Sequence, residues 1–225
     1  MDKRTMRLGD YDTAAHGLWT LSAWDFPAPE VQTNLVSIPG RAKGPLDLST
    51  VLTDGVPLYG ARELTATLES SEGDRLARKG RIAELVRKLH GQRVDIVLPD
   101  HPDHYATGRL SVRQLYNDPA HAAVQIIGTC EPWLYAKAET IVRLTATTAE
   151  QTALLRNVGS MPVVPSVKIE AASGSSVSLG FDNSRVSVSA GTYKWPALLL
   201  TPGDHVLTYS GSGTVTITYR EAVLW

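Results

Sequence analysis

Apolar and polar residues alternate along most of this chain, as they do in β-strands that bury one face. Between Arg62 and Glu69, for example, Leu64, Ala66 and Leu68 alternate with polar residues, and this period of two predicts a half-buried strand. Runs of the same kind predict further strands, at Leu18–Trp24, Arg93–Leu98, Tyr105–Leu115, Ala120–Cys130, Ser166–Glu170, Ser176–Phe181, Arg185–Ser189, Ala197–Leu200, His205–Tyr209 and Thr214–Tyr219. The chain is therefore predicted to be mainly β.

One segment, at about residues 73–90, has the period of a helix instead. Its apolar residues recur at i, i+3, i+4 and i+7 and form one stripe, made of Ile82, Leu85, Val86 and Leu89. Acidic residues precede the stripe and Gly91 follows it, as is typical of helix ends. The other faces carry basic residues, which are Arg75, Arg78, Lys79, Arg81, Arg87 and Lys88. This basic face is interpreted as solvated or, alternatively, as the lining of a channel that passes DNA or as a contact between rings.

The composition changes near residues 133–138. After this point charge thins out, Ser, Thr, Gly and Val predominate, and turn signals such as Ser173-Gly174 separate short strands. That spacing predicts an antiparallel sandwich or barrel. We expect two domains, residues 1–135 with the helix and residues 136–225.

A long irregular segment at about residues 38–60 interrupts the strands of the first domain. Its prolines remove backbone donors and its glycines permit positive φ, so it does not read as a strand or a helix. Apolar side chains nevertheless recur every few residues, at Ile38, Leu46, Leu48, Val51, Leu52, Val56, Leu58 and Tyr59. Long loops inside compact domains are usually functional. We expect this segment to be an arm that lies on a neighbouring subunit.

Composition and charge narrow the function classes. With 43% hydrophobic residues the chain can build a core, and with a net charge of -1 it lacks the basic excess of a nucleic-acid-binding protein. The single cysteine, Cys130, cannot form an intrachain disulfide. The charged N-terminus does not predict a signal peptide, and no apolar run is long enough to predict a membrane span.

Candidate chemistry is sparse. The densest polar cluster comprises Asp100, His101, Asp103 and His104, which are metal-ligand types, but a turn set by the adjacent prolines explains them better. Motifs for nucleophilic, phosphate-binding or zinc-dependent catalysis are not found. The sequence therefore predicts no catalytic residue, no metal site and no cofactor.

The order of these features resembles the distal tail protein (Dit) family of siphovirus-type bacteriophages, over nearly the whole chain. The most specific elements are the PGR…GPLDLS…DG…YG pattern that begins at Pro39 and the C-x-P-x-x-Y pattern of Cys130, Pro132 and Tyr135. The resemblance implies an N-terminal β-barrel or split-sandwich domain, related to tail-tube proteins, with one α-helix. It further implies a C-terminal galectin-like antiparallel β-sandwich.

The resemblance also implies a function without catalysis. Proteins of this family form a homo-hexameric ring in the tail tip of the virion, assembled in the host cytoplasm. The ring is a baseplate hub that joins the tail tube protein to the tail-tip hub protein. Tape-measure protein or DNA passes through its lumen, and receptor-binding proteins or fibres attach outside.

Two sets of residues are expected to serve this function. The arm would bury Ile38, Pro39, Gly40, Pro45, Leu46, Leu48, Leu58 and Tyr59 on the next subunit, while Arg41 and Asp47 fix the register. The junction of the two domains would be made by Cys130, Pro132, Trp133 and Tyr135. In an alternative interpretation, the terminal sandwich is a carbohydrate-binding module that contacts host glycan through Trp195.

Overall fold

The computed structural model describes residues 5–40, 43–53 and 55–224 of the 225-residue chain. It is mainly β, as the sequence predicts, and the strand pairs within its two units are antiparallel wherever their register is described. The described residues divide into two compact units between Leu134 and Tyr135.

The first unit contains a large sheet, a small hairpin and two helices. In chain order its elements are β1 (Arg7–Leu8), β2 (Tyr11–Asp12), α1 (Thr13–Gly17), β3 (Thr20–Asp25), β4 (Leu35–Val36), β5 (Leu46–Asp47), β6 (Arg62–Ser70), α2 (Arg75–Leu89), β7 (Arg93–Val97), β8 (His104–Asn117) and β9 (Ala122–Cys130). The sheet has the order β2-β1-β7-β8-β9-β6-β3, and β4 pairs only with β5.

The sheet of the first unit is open. Its outermost strands on this path, β2 and β3, are not paired with each other, so the described residues form no closed barrel. The first unit is therefore not the β-barrel that was one form of the predicted N-terminal domain. One outer pair, β1 and β2, is only two residues long, and β3 contains a register shift between Leu21 and Ala23 before the chain leaves the sheet.

Strand β6 shows why this sheet has one buried face. Leu64, Ala66 and Leu68 are fully buried, whereas the alternate residues Glu63 and Glu69 are exposed. Helix α2 packs against β8 and β9 through Ile82, Leu85 and Leu89. The helix begins where the Asp74 carboxylate accepts a hydrogen bond from Ala77 N at 2.7 Å, and Gly91 follows its end with φ +76°.

A second helix, α1, is absent from the sequence prediction of a single helix. Its N-cap is Asp12, whose Oδ1 accepts hydrogen bonds from Ala14 N and Ala15 N, each at 3.0 Å. It ends at Leu18, which has φ +52°. A helix this short shows no 3.6-residue period, so only its capping aspartate marks it in the sequence.

The second unit is a β-sandwich. Its strands, together with one at the boundary, are β10 (Leu134–Ala136), β11 (Thr140–Ala146), β12 (Gln151–Asn157), β13 (Ser166–Glu170), β14 (Val177–Phe181), β15 (Ser184–Val188), β16 (Gly191–Lys194), β17 (Gly203–Gly211), β18 (Gly213–Tyr219) and β19 (Ala222–Val223). One sheet has the order β11-β18-β13-β16 and the other β12-β17-β14-β15. Buried side chains from both sheets, such as Ile217 and Leu207, form a single core cluster.

The predicted strand Ala197–Leu200 is wrong. Leu198 N donates to Trp195 O at 2.9 Å in a turn, and only Leu200 makes a bridge, to Val163. Leu198 and Leu200 are both fully buried in the sandwich core. An alternation of buried and exposed residues therefore arises here without a strand.

Candidate functional site: the arm and its mount

The chain leaves the sheet after β3 and returns to it at β6, and the residues between form the arm. At its base the two passages are joined by backbone hydrogen bonds, from Gln32 N to Leu58 O and from Gly60 N to Glu30 O, both at 2.8 Å. Val31 and Tyr59 form a β-bridge between these two bonds. The arm therefore begins as a narrow two-stranded neck.

Beyond the neck the arm contains the hairpin of β4 and β5, in which Leu35 lies opposite Asp47 and Val36 opposite Leu46. The prediction that this segment contains no strand is wrong, because β5 lies within it. Gly40 and Gly44 have φ of +79° and +76° and allow the reversal between the two strands. Arg41, expected to fix the register of the arm, lies outside the described residues.

After β5 the arm continues as a series of tight turns. Asp47 Oδ1 accepts a hydrogen bond from Ser49 N at 2.9 Å, and hydrogen bonds from Ser49 lower the pKa of this exposed carboxyl. Gly55 N then donates to Thr50 O at 3.1 Å and Val56 N to Thr53 O at 2.9 Å. These local bonds shape the segment and leave the Asp47 carboxylate charged at neutral pH.

Most apolar side chains of the arm are uncovered. Leu52 is 96% exposed, and Val51 is 62% exposed. Of the residues expected to bury on a neighbour, Ile38, Pro39, Gly40, Pro45 and Leu58 are exposed, while Leu46, Leu48 and Tyr59 are partly buried. The arm thus presents apolar surface that none of the described residues covers.

The arm is mounted on Arg62, a residue that the sequence analysis did not single out. The Arg62 side chain is 2% exposed, and its guanidinium carbon lies 3.7 Å from the centroid of the Phe26 ring. Its Nε donates to Pro27 O at 2.7 Å, its Nη2 to Phe26 O at 2.8 Å and its Nη1 to Pro132 O at 3.4 Å. One cation therefore ties the outgoing chain, the returning chain and the segment after β9 together.

The residues predicted at the domain junction are only partly brought together. The Trp133 ring meets the Tyr59 ring edge-on, with centroids 5.4 Å apart, and Pro132 accepts its bond from Arg62, so both support the arm. Cys130 is buried and pairs with Arg62 across β9 and β6, and burial raises the pKa of its thiol to about 11. Tyr135 is partly buried at the start of the second unit.

The remaining candidates lie apart from the arm. Trp195 is partly buried and packs against the sandwich core. The residues from Pro99 to His104 form turns, in which His101 N donates to Leu98 O and His104 N to His101 O, and burial lowers the pKa of His101. Within residues 5–40, 43–53 and 55–224, no group of three or more histidine, cysteine or acidic side chains is placed to hold a metal ion.

The basic face of α2 is smaller than the sequence suggests. Arg78 is 1% exposed, and its guanidinium donates to Gly73 O and, at 2.8 Å each, to Asp118 O and Pro119 O. It therefore fastens the helix to the turn between β8 and β9. In the part of the chain that the structure describes, neither helix is long and apolar enough to cross a membrane.

The sequence indicates the burial of Arg62 and Arg78 only weakly. Arg62 precedes Leu64, Ala66 and Leu68 by two, four and six residues, which places it on the same face of a strand. Arg78 precedes Ile82 and Leu85 by four and seven residues. These spacings place both side chains on buried faces. Composition alone assigns arginine to the surface, and nothing local shows which carbonyl groups it meets after folding.

Comparison with known proteins gives a likeness in fold to solved structures. No protein-family model matches the chain, and no curated protein matches its sequence. Among solved structures, the fold matches the crystal structure of the SPP1 Dit (gp 19.1) protein, described as a paradigm of the hub adsorption apparatus in phages that infect Gram-positive bacteria. The TM-score is 0.71, the identity is 17%, and the match covers 96% of this chain and 98% of that chain. The two proteins share a fold along almost their whole lengths.

Proposed function

We propose that this chain is a structural component of a phage tail tip and forms its hub. The observation that carries the proposal is the likeness to the SPP1 Dit protein at a TM-score of 0.71 over 96% of the chain. The match includes both units, so it is not limited to the β-sandwich of the second unit, which is a common fold. The role requires assembly and no catalysis.

The arm supports assembly from identical copies. A subunit that offers one surface and receives a different one makes heterologous contacts, which close into a ring when the rotation between copies is suitable. Several leucine and valine side chains of the arm are exposed to water, which is unfavourable for apolar groups. Their burial on a neighbouring copy favours association by about 25 cal/mol per Å² of apolar surface. The arm residues from Ile38 to Tyr59 are therefore the proposed inter-subunit contact.

The finer features of the proposal follow the family resemblance. The ring is a hexamer, its first domain corresponds to the tail-tube-like domain, and its second domain is the galectin-like sandwich. The ring binds the tail tube protein on one side and the tail-tip hub protein on the other, and tape-measure protein or DNA crosses its lumen. Receptor-binding proteins or fibres bind outside, and the ring assembles in the host cytoplasm before it enters the virion.

The carbohydrate-binding alternative stays a prediction. Trp195 packs partly against the sandwich core, which leaves less of its ring for a sugar to stack on. A glycan array probed with the full chain tests it: binding that Trp195→Ala abolishes supports the alternative, and an array without signal contradicts it.

The ring is tested by native mass spectrometry and negative-stain microscopy of the purified full chain. The expected species has six times the 24.4 kDa chain mass and appears as a closed ring. A chain that stays monomeric at every concentration contradicts the proposal. Closed rings that contain another number of copies correct the stoichiometry and leave the hub function standing.

A further inference from the structure

The exposed apolar residues of the first unit are not scattered. Among its described residues, twelve large hydrophobic side chains are exposed, and seven of them belong to the arm, between Val31 and Leu58. Four more lie on α2 and at the end of β8, and they are Leu76, Val86, Leu115 and Tyr116. The twelfth is Leu18. We give the name helix corner to the start of α2 and the end of β8, where Asn117 Nδ2 donates to Arg75 O at 3.2 Å; Leu76, Leu115 and Tyr116 belong to it.

The helix corner has a shape and a charge suited to bind an apolar, acidic protein segment. A depression of about 390 Å³ opens there and is lined by Arg75, Leu76, Lys79, Gln114 and Asn117. Leu76 is 76% exposed beside it. Within the described residues, Arg75 and Lys79 take part in no ion pair. Apolar surface rimmed by cations is typical of a protein-binding site.

The second stripe of α2 explains how the corner arises. Leu76, Lys79, Ala83 and Val86 follow one another at intervals of three and four residues and are all exposed. They share a side of the helix that is distinct from the buried stripe of Ile82, Leu85 and Leu89. A helix with one buried stripe needs only polar residues elsewhere. The apolar members of the second stripe are therefore available to contact a partner.

We propose that the helix corner is the receiving surface for the arm of a second copy of this chain. This inference rests on the proposed ring. A head-to-tail ring needs two different complementary surfaces on each subunit, and the first unit has two concentrations of uncovered apolar side chains. Val51 and Leu52 of the arm cover Leu76 and Leu115 of the neighbour, and the exposed Asp47 carboxylate faces Arg75 and Lys79.

The charges of the arm agree with this orientation. Asp47 lies at the start of the turns that carry Val51 and Leu52, whereas the cation Lys43 lies on the other side of β5, near the hairpin reversal. The segment that begins at Asp47 thus has an acidic residue followed by exposed apolar residues. A basic and apolar depression complements that segment better than it complements the hairpin tip.

The test uses two complementary single variants of the full chain. Leu52→Asp disables the arm, and Leu76→Asp disables the corner, where aspartate in the first turn of a helix does not impair folding. Each is expected to raise the protein concentration at half-assembly by about 30-fold or more. Leu18→Asp is the matched control, because Leu18 is exposed outside both surfaces and an aspartate tolerates its φ of +52°.

Mixing the two variants gives the sharpest readout. The intact arm of the Leu76→Asp chain still fits the intact corner of the Leu52→Asp chain, so the mixture is expected to form a one-to-one dimer and no ring. The charges provide a second readout: Asp47→Lys and Lys79→Asp each weaken assembly, and the double variant restores it. Native mass spectrometry measures both.

The outcomes separate this inference from the proposed function. A wild-type ring that persists in Leu76→Asp overturns the helix corner as the receiving surface and leaves the hub proposal standing. Two variants that are each monomeric but give no mixed dimer also overturn it. A wild-type chain that never assembles overturns the inference and the proposed function together.

Discussion

The two units of this protein use apolar residues in opposite ways. In the sandwich, alternate residues of both sheets meet in one core, and the connections are mostly tight turns. In the first unit a large sheet carries a long excursion between β3 and β6, and most leucines and valines of this excursion are exposed. The sandwich closes around its own core, whereas the first unit leaves seven large apolar side chains of the arm exposed. Under the proposed function, this difference assigns the contact between copies to the first unit.

The largest expected effect comes from removal of the arm. Replacement of residues 40–54 by a short Gly-Ser linker should abolish the ring, because it removes Val51 and Leu52, the exposed arm residues that are proposed to contact the neighbour. The fold should persist, since the neck bonds at Gln32 and Gly60 and the Arg62 mount lie outside the deletion. Light scattering measures the mass, and circular dichroism checks the fold. A full ring from the deleted chain would refute the assignment of the arm.

A core substitution in the sandwich should do the reverse. Leu207 is fully buried, and Leu207→Ala should lower the free energy of unfolding of the second unit by about 2–5 kcal/mol. Assembly should be unchanged, because the proposed contacts lie in the first unit. Urea unfolding and native mass spectrometry measure the two effects. Loss of the ring in a variant whose sandwich is still folded would contradict the division of roles.

The mount of the arm is expected to matter for stability. Arg62→Ala removes a buried cation and leaves the Phe26 and Pro27 carbonyls without their donor, which should cost the first unit about 2–3 kcal/mol in unfolding free energy. The exposed Arg113 on β8 is the control, and Arg113→Ala should change the same quantity by less than about 0.5 kcal/mol. Urea denaturation compares them, and equal values would show that Arg62 is not a mount.

The smallest effect should come from the exposed face of the sandwich. Leu154 is 62% exposed, opposite Val206 on the neighbouring strand. Leu154→Asp should change stability by less than about 0.5 kcal/mol and leave the ring intact, in contrast to Leu52→Asp. Native mass spectra of the two variants make this comparison. A ring that dissociates in Leu154→Asp would place an assembly surface on the sandwich as well.

Regular elements could be predicted where a single face is buried. The alternation around Leu64 and the stripe from Ile82 to Leu89 both reflect one-sided burial, and β6 and α2 follow them. The false strand at Ala197–Leu200 shows the limit of that signal, because Leu198 and Leu200 are buried from a turn. Periodicity reports which residues are buried and leaves the backbone conformation open.

The arm and its mount could be predicted only in part. Prolines, glycines and recurring leucines mark the arm in the sequence, but the β4–β5 hairpin is only two residues long on each strand and leaves no periodic pattern. The Arg62 mount joins residues 26, 27 and 132, which are far apart in the chain, and no local rule brings them together. Trp133 was expected to hold two domains together, and the ring it meets is Tyr59 of the neck.

The central claim is that the arm finds its partner on another copy of the same chain. The most direct measurement is a native mass spectrum of an equimolar mixture of Leu52→Asp and Leu76→Asp chains, beside spectra of each variant alone and of the wild type. The account predicts a closed hexamer for the wild type, monomers for each variant and a one-to-one dimer for the mixture. A monomeric wild type, or a hexamer that persists in either variant, would contradict it.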